Sequence, residues 1–267
     1  MGILNVTPDS FSDGGRYLNF DAAIAHAVNM WDQGADIIDV GGESTRPGAE
    51  RVDGPTEISR VQGVVAELAS RSIPVSIDTT RSAVAAAAIK AGATYINDVS
   101  GGLADPQMAS VVVETGCHWV LMHWRGHSKD MQELATYKDV VADVHSELLD
   151  RVRAARDAGV AAEKLIIDPG IGFAKLPEHN WALSARLHEL VAEGYPVLFG
   201  SSRKSYLGRL MSRDQVPRPA DERDSATIAS SMLAFEAGVW GVRVHDVAGN
   251  ADARDVWLET KRAAAGQ

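Results

Sequence analysis

The chain has 267 residues, 45% of them hydrophobic and 23% charged, with a formal net charge of −10. That acidity excludes a nucleic-acid partner held by a general basic field, so any anionic ligand must meet a local cluster of positive charge. A single cysteine, Cys117, excludes an internal disulfide or a cysteine metal cluster. With no signal-peptide pattern and no apolar stretch long enough to cross a bilayer, the expected location is a reducing cytoplasm.

In chain order, short apolar runs break repeatedly into polar clusters. Ile3-Leu4 leads into Asn5-Val6-Thr7, and a polar, glycine-bearing stretch runs from Thr7 to Tyr17. Ile24, Val28 and Trp31 then fall at i, i+4, i+7, a helical spacing. Ile37-Ile38 breaks into Asp39-Val40-Gly41-Gly42-Glu43-Ser44, and a second long stretch extends from Glu43 to Pro55. Ile58, Val61, Val65 and Leu68 mark the next helix, followed by Val75-Ser76-Ile77 and Asp78-Thr79, then Tyr95-Ile96 and Asn97-Asp98. Cys117 enters the run ending Trp119-Val120-Leu121-Met122, where a buried, inert thiol is expected; His123 and a third long stretch, Trp124 to Thr136, follow. Val141, Val144, Leu148 and Val152 form a longer helix before Leu165-Ile166-Ile167 and Asp168-Pro169-Gly170. Val197-Leu198-Phe199 precedes Gly200-Ser201-Ser202-Arg203-Lys204, and Val242 precedes Arg243-Val244-His245-Asp246.

Gly34, Gly92, Gly116, Gly159, Gly194 and Gly238 each stand just before an apolar run, as the left-handed residue that ends a helix. Fully apolar short strands suit a parallel sheet covered by helices on both faces. Roughly eight strand–helix repeats match a closed (β/α)8 TIM barrel, α/β in class, better than an open sheet. No Gly-x-Gly-x-x-Gly follows the first strand, which weakens a dinucleotide-binding reading. No linker divides the chain, so a single domain over 1–267 is expected.

In such a barrel chemistry gathers at the C-terminal ends of the strands. Asp78, Asn97 and Asp168 each end a strand directly and can point into the mouth. Two carboxylates and an amide suit a heterocycle with an amidine-like edge, each carboxylate accepting paired N–H donors. Lys204, Arg243 and His245 place cations at strands seven and eight, the usual phosphate corner. The competing reading makes each aspartate a helix N-cap and the cations solvated. A zinc hydrolase would need converging histidines; none of the eight forms a His-x-His pair, and His123 and His127 are separated by a glycine-bearing loop.

Gly2-Ile3-Leu4-Asn5-Val6-Thr7-Pro8-Asp9-Ser10-Phe11-Ser12-Asp13-Gly14-Gly15 resembles the first signature of the dihydropteroate synthase family. Asp39 to Gly48, Ser76 to Thr79, Ile96 to Gly102, Met122-His123, Asp168 to Phe173, Ser202-Arg203-Lys204 and Arg243 to Asp246 continue the resemblance in order. It implies a (β/α)8 barrel that joins 6-hydroxymethyl-7,8-dihydropterin pyrophosphate to 4-aminobenzoate, by loss of a magnesium-bound pyrophosphate. By resemblance, Asp78, Asn97, Met122, Asp168, Phe173, Gly200 and Lys204 hold the pterin. Asn5, Arg243 and His245 form the pyrophosphate site, Asn5 also touching Mg²⁺. Phe11, Thr45, Arg46, Pro47 and Ser205 surround 4-aminobenzoate; Asp13, Asp78, Lys204, Arg243 and His245 are the expected catalytic set. The family also suggests a homodimer with no membrane or nucleic-acid partner. The first strand begins almost at Met1, which leaves closure of the barrel there open. A pterin-binding methyltransferase barrel is the rival; it should lack the Ser44-Thr45-Arg46-Pro47 loop and the Arg243-Val244-His245 anion site. A non-catalytic pterin-binding relative is the other, and it should have lost some of these blocks.

Overall fold

Each apolar run forms one short strand of a closed parallel ring. In the computed structural model, residues 1–6, 16–43, 52–126 and 134–266 are described, with backbone only for 16–19. The strands are β1 (Gly2–Asn5), β2 (Ile38–Gly41), β3 (Val75–Asp78), β4 (Tyr95–Asp98), β5 (His118–Met122), β6 (Leu165–Asp168), β7 (Leu198–Phe199) and β8 (Gly241–Val242). β1 to β6 pair in sequence order, and β7 pairs with β8, all in parallel. Two further parallel bridges, Ile167 with Val197 and Gly2 with Val244, complete the circle. The question left at strand one is thereby answered: Ile3 N–H donates to Val244 O at 3.0 Å, and Val244 N–H to Met1 O at 3.0 Å. The result is a (β/α)8 barrel.

The helices lie between the strands: α1 (Arg16–Asp32), α2 (Gly54–Ser70), α3 (Ser82–Ala91), α4 (Met108–Thr115) and α5 (Val140–Asp157) up to β6. α6 (Pro177–Ala185) and α7 (Leu187–Val191) precede β7; α8 (Ser205–Leu210) and α9 (Asp224–Ala237) precede β8; α10 (Val247–Ala264) follows it. The spacing in α5 is borne out, since Val141, Val144, Leu148 and Val152 are all buried, each contributing roughly 1.5–3 kcal/mol. In α1 the phase differs. Ala23, Ile24, Ala27 and Met30 are buried and Trp31 is exposed, because two alanines let the helix approach the sheet where a tryptophan would hold it off. All six glycines expected to end helices have positive φ. Gly92 shows why another residue fails there: beyond its φ of 116°, an added Cβ would sit 2.5 Å from Ala69 Cβ. The first two long stretches are shorter than expected, since α1 already includes Tyr17 and α2 includes Pro55; beyond the third, α5 begins only after Asp139, which caps it through Val141 and Ala142 N–H.

Strand alternation divides the barrel wall. Leu4, Ile38, Val40, Val75, Ile77, Ile96, Trp119, Leu121, Leu165, Ile167, Val197, Phe199, Val242 and Val244 face outward into the core shared with the helices. The opposite set faces inward, and it is apolar only in the lower part, where Val120, Ile166 and Leu198 pack with Met1 and Tyr95. Above that plug the inward positions turn polar: Asp39, Asp78, Asn97 and Asp168 are all buried. The strands are therefore not apolar on both faces, and the polar inner half forms the floor of a site.

Candidate active site

Asp78 and Asp168 are the last residues of β3 and β6, and Asn97 stands one residue before the end of β4. Neither aspartate caps a helix. Asp78 Oδ2 accepts from Arg243 Nη2 at 2.8 Å, and Arg243 Nε donates to Asp39 Oδ2 at 2.6 Å. Asn97 Nδ2 donates to the same Asp39 oxygen at 2.9 Å, which orients the amide and leaves its carbonyl for other use. Asp168 Oδ1 accepts the Gly170 N–H at 2.6 Å, fixing the carboxylate from behind. Gly200 faces Asp168, and a Cβ there would lie 3.8 Å from Asp168 Oδ2 and 4.0 Å from Arg243 Cβ. Gly41 likewise stands beside Asp78 Oδ2 and Asn5 Oδ1, 3.8 and 3.7 Å from an added Cβ. Two side-chain-free positions thus leave the floor open between its polar groups. Met122 ends β5 in register with Asp168, buried, and supplies an apolar wall.

Lys204 sits over the Phe173 ring, its Nζ 4.1 Å from the centroid, a cation–π contact. It follows Arg203, whose φ of 56° is left-handed, a conformation costing a non-glycine residue roughly 1–2 kcal/mol. The turn is held from α9: Arg203 Nε and Nη2 donate to Asp224 at 2.7 and 2.7 Å, and Arg203 N–H donates to Thr227 Oγ1 at 3.1 Å. Ser205 opens α8 next to Lys204, exposed on the same rim.

The charges do not balance freely at this depth. Burial pushes the Asp168 carboxyl up to about 6, opposed by the Gly170 N–H and by Lys204. Burial raises Asp78 as well, with Arg243 pulling the other way and Asp39 adding repulsion. Lys204 is lowered to about 8 by burial and by Arg243. The phosphate corner is thus a correction to the sequence reading in two respects. Arg243 is not a loose cation: two carboxylates hold Nε and Nη2, leaving Nη1 as the donor they do not take. His245 is not a cation at neutral pH, because burial first and then Arg203 and Arg243 lower it to about 3. Its ring Nδ1 lies 2.9 Å from Ser202 Oγ.

Other functional groups escaped the sequence reading. Asp39 lies inside the barrel by simple alternation after Ile38, yet it drew no role. Lys175, from the loop after β6, reaches His123 Nδ1 at 2.9 Å and Phe173 O at 3.0 Å, while His123 Nε2 meets Glu147 at 3.0 Å. Burial lowers His123 to about 4 and Lys175 to about 7. His123 is thereby committed to a hydrogen-bonded chain, and among the described residues no group of three or more His, Cys, Asp or Glu could hold a metal. Farther out, Arg81 bonds Glu43 Oε2 at 3.0 Å, Val52 O at 2.7 Å and the buried Glu57. Val52 N–H also donates to Glu43 at 3.1 Å. Phe11, Asp13, Thr45, Arg46, Pro47 and His127 lie outside the described residues.

Fold and site together define a TIM-barrel enzyme whose mouth pairs buried carboxylates with a cationic corner. Residues 1–245 match the family of pterin binding enzymes. The dihydropteroate synthase of Mycobacterium leprae is 56% identical over 263 residues, covering 97% of this chain and 93% of that one. The solved Xanthomonas albilineans dihydropteroate synthase with 4-aminobenzoic acid is 42% identical, with a TM-score of 0.90 over 98% of this chain and 92% of that chain. The same enzyme in complex with 7,8-dihydropteroate superposes with a TM-score of 0.87 at 40% identity, again over 98% and 92%. The chain belongs to the pterin-binding enzymes, among the dihydropteroate synthases.

Proposed function

We propose that this mouth condenses 6-hydroxymethyl-7,8-dihydropterin pyrophosphate with 4-aminobenzoate, giving 7,8-dihydropteroate and pyrophosphate. The observation that carries this reading is the pair of buried strand-end carboxylates. Asp168 Oδ2 takes no hydrogen bond from the described residues, and it faces the space left by Gly200. A pterin's amidine edge can donate to Asp168, while Asn97 and Asp78 meet the ring's far side and Met122 packs against its face. Each such charged hydrogen bond is worth about 1.5–3 kcal/mol. Lys204 Nζ stands over the Phe173 ring, and as a donor only it donates to the pterin's carbonyl and ring nitrogen.

Pyrophosphate leaves with the electron pair of its C–O bond, and the methylene left behind carries positive charge conjugated into the dihydropterin. Asp78 and Asp168 favour that charge. Nη1 of Arg243 and the His245 ring meet the departing oxygens as hydrogen-bond donors. The weakly basic amine of 4-aminobenzoate attacks the methylene and loses one proton afterwards, so no general base is needed before attack. Water must be kept from the cation, the part assigned to the stretches bearing Phe11, Asp13, Thr45, Arg46 and Pro47, with Ser205 near the benzoate carboxylate. Asn5 fits a role beside Mg²⁺: Mg²⁺ keeps several waters and binds through one or two protein oxygens plus phosphates, and Asn5 Oδ1 stands at the mouth beside Gly41. Bound there, Mg²⁺ would neutralise charge on the pyrophosphate. A cytoplasmic homodimer belongs to the same proposal. The test is turnover: purified protein with both substrates and Mg²⁺ should form dihydropteroate and pyrophosphate one for one. Binding of pterin without any product would make the chain a non-catalytic binder.

A further inference from the structure

Ser202 is buried in the turn between β7 and α8, and its hydroxyl touches His245 twice. Ser202 Oγ accepts the backbone N–H of His245 at 3.1 Å and lies 2.9 Å from the ring Nδ1. A serine has one hydrogen to give. The oxygen accepts the backbone N–H, and Nδ1 is an acceptor within reach of that hydrogen; donated there, it leaves Nδ1 without a proton and puts the ring proton on Nε2. Burial first, then the neighbouring cations Arg203, Arg243 and Lys204, disfavour a second ring proton, with Asp224 opposing them. The turn carrying Ser202 is itself braced, through Arg203 to Asp224 and Thr227 and through Arg223 Nη1 to Arg203 O at 2.8 Å.

We infer that Ser202 is a positioning residue: it holds His245 as a neutral ring whose Nε2–H is the donor presented to the leaving pyrophosphate. This rests on the reading of the β8 end as the pyrophosphate site. A neutral donor has a use there. It stabilises growing negative charge without offering a second acidic proton to the ester before the C–O bond breaks, and it spares a site already carrying Arg243 and Lys204 another buried cation.

The test combines a spectrum and an affinity. In ¹⁵N-histidine-labelled protein, with His245→Ala used to assign the resonance, the wild-type His245 ring should be a single Nε2–H tautomer at neutral pH. Ser202→Ala should lose that signature or mix the tautomers and weaken inorganic pyrophosphate binding by about two- to tenfold, the range of one net hydrogen bond. Ser202→Thr should restore both. Should Ser202→Ala not fold, Ser202→Cys, a weak donor of similar size, carries the same expectation. If Ser202→Ala keeps the wild-type ring spectrum and affinity while His245→Ala weakens pyrophosphate binding, the inference about Ser202 is wrong and the site stands. If His245→Ala itself leaves pyrophosphate binding unchanged, the pyrophosphate reading fails and takes the inference with it.

Discussion

At the scale of single residues, the site depends on carboxylates kept ionised against burial. Asp168 rises from an ordinary 3.8 to about 6. A raised acid destabilises the fold where it is ionised, so this cost is present above pH 6 and fades as pH falls from about 6 towards 3.8. Pterin recognition needs the ionised form and runs the other way. Affinity for a pterin should be flat above pH 7 and fall by about tenfold per unit below pH 6; calorimetry across pH 5 to 8 checks this, and an affinity unchanged at pH 5 contradicts it. Arg243→Ala takes the guanidinium from both Asp78 and Asp39 and leaves Asp39 only the Asn97 amide, uncompensated buried charge costing roughly 3–5 kcal/mol. The variant should melt well below wild type at pH 8 and recover much of the difference at pH 5, where the Asp78 carboxyl, raised by burial and no longer opposed by Arg243, protonates. An equal deficit at both pH values would remove Arg243 from that triad. Asp78, Asn97 and Asp168 were legible in the sequence because each closes an apolar run. Asp39 needed one more step, counting alternation from Ile38. Lys175 was not legible at all, since its loop has no period and its partner His123, though it follows the neighbouring strand β5, lies 52 residues earlier in the sequence.

Between elements, the network around Arg81 ties the end of β2 to the start of α2. Arg81 reaches Glu43 on one side of residues 44–51 and Val52 on the other, while Arg60 Nη1 donates to Gly42 O at 2.8 Å. Glu57 is 1% exposed, and burial raises its carboxyl. Arg81→Ala should cost about 3 kcal/mol in denaturant unfolding, and adding Glu57→Gln should return part of it by removing the unpaired charge. Independent, additive losses in the double variant would show that the two residues do not share one network. Helix content was readable from spacing and from glycines, as α5 and Gly92 show. The inward face of α1 was not, because alanine gives a weak signal beside Trp31, although small residues are what close packing selects.

Across the whole molecule, the proposed function requires a chain of net charge −10 to bind a pyrophosphate ester through local positive potential. The barrel supplies it by bringing Lys204, after β7, and Arg243, after β8, into one mouth with Asp168 and Asp78. The closed ring was legible from eight repeats, and the Met1–Val244 seam was not, because its partners lie at the two ends of the sequence. In the proposed function this mouth has two subsites, a pterin floor at Asp168 and a pyrophosphate corner at His245. Calorimetric affinities of free 6-hydroxymethylpterin and of its pyrophosphate ester, measured on wild type, Asp168→Asn and His245→Ala, test it most directly. Asp168→Asn should weaken both ligands alike, by about ten- to a hundredfold, because the amide offers one acceptor where the carboxylate offered two. His245→Ala should weaken the ester and leave the free pterin within twofold of wild type. Equal losses for the two ligands in His245→Ala, or an unchanged free-pterin affinity in a folded Asp168→Asn, would contradict the division of the mouth.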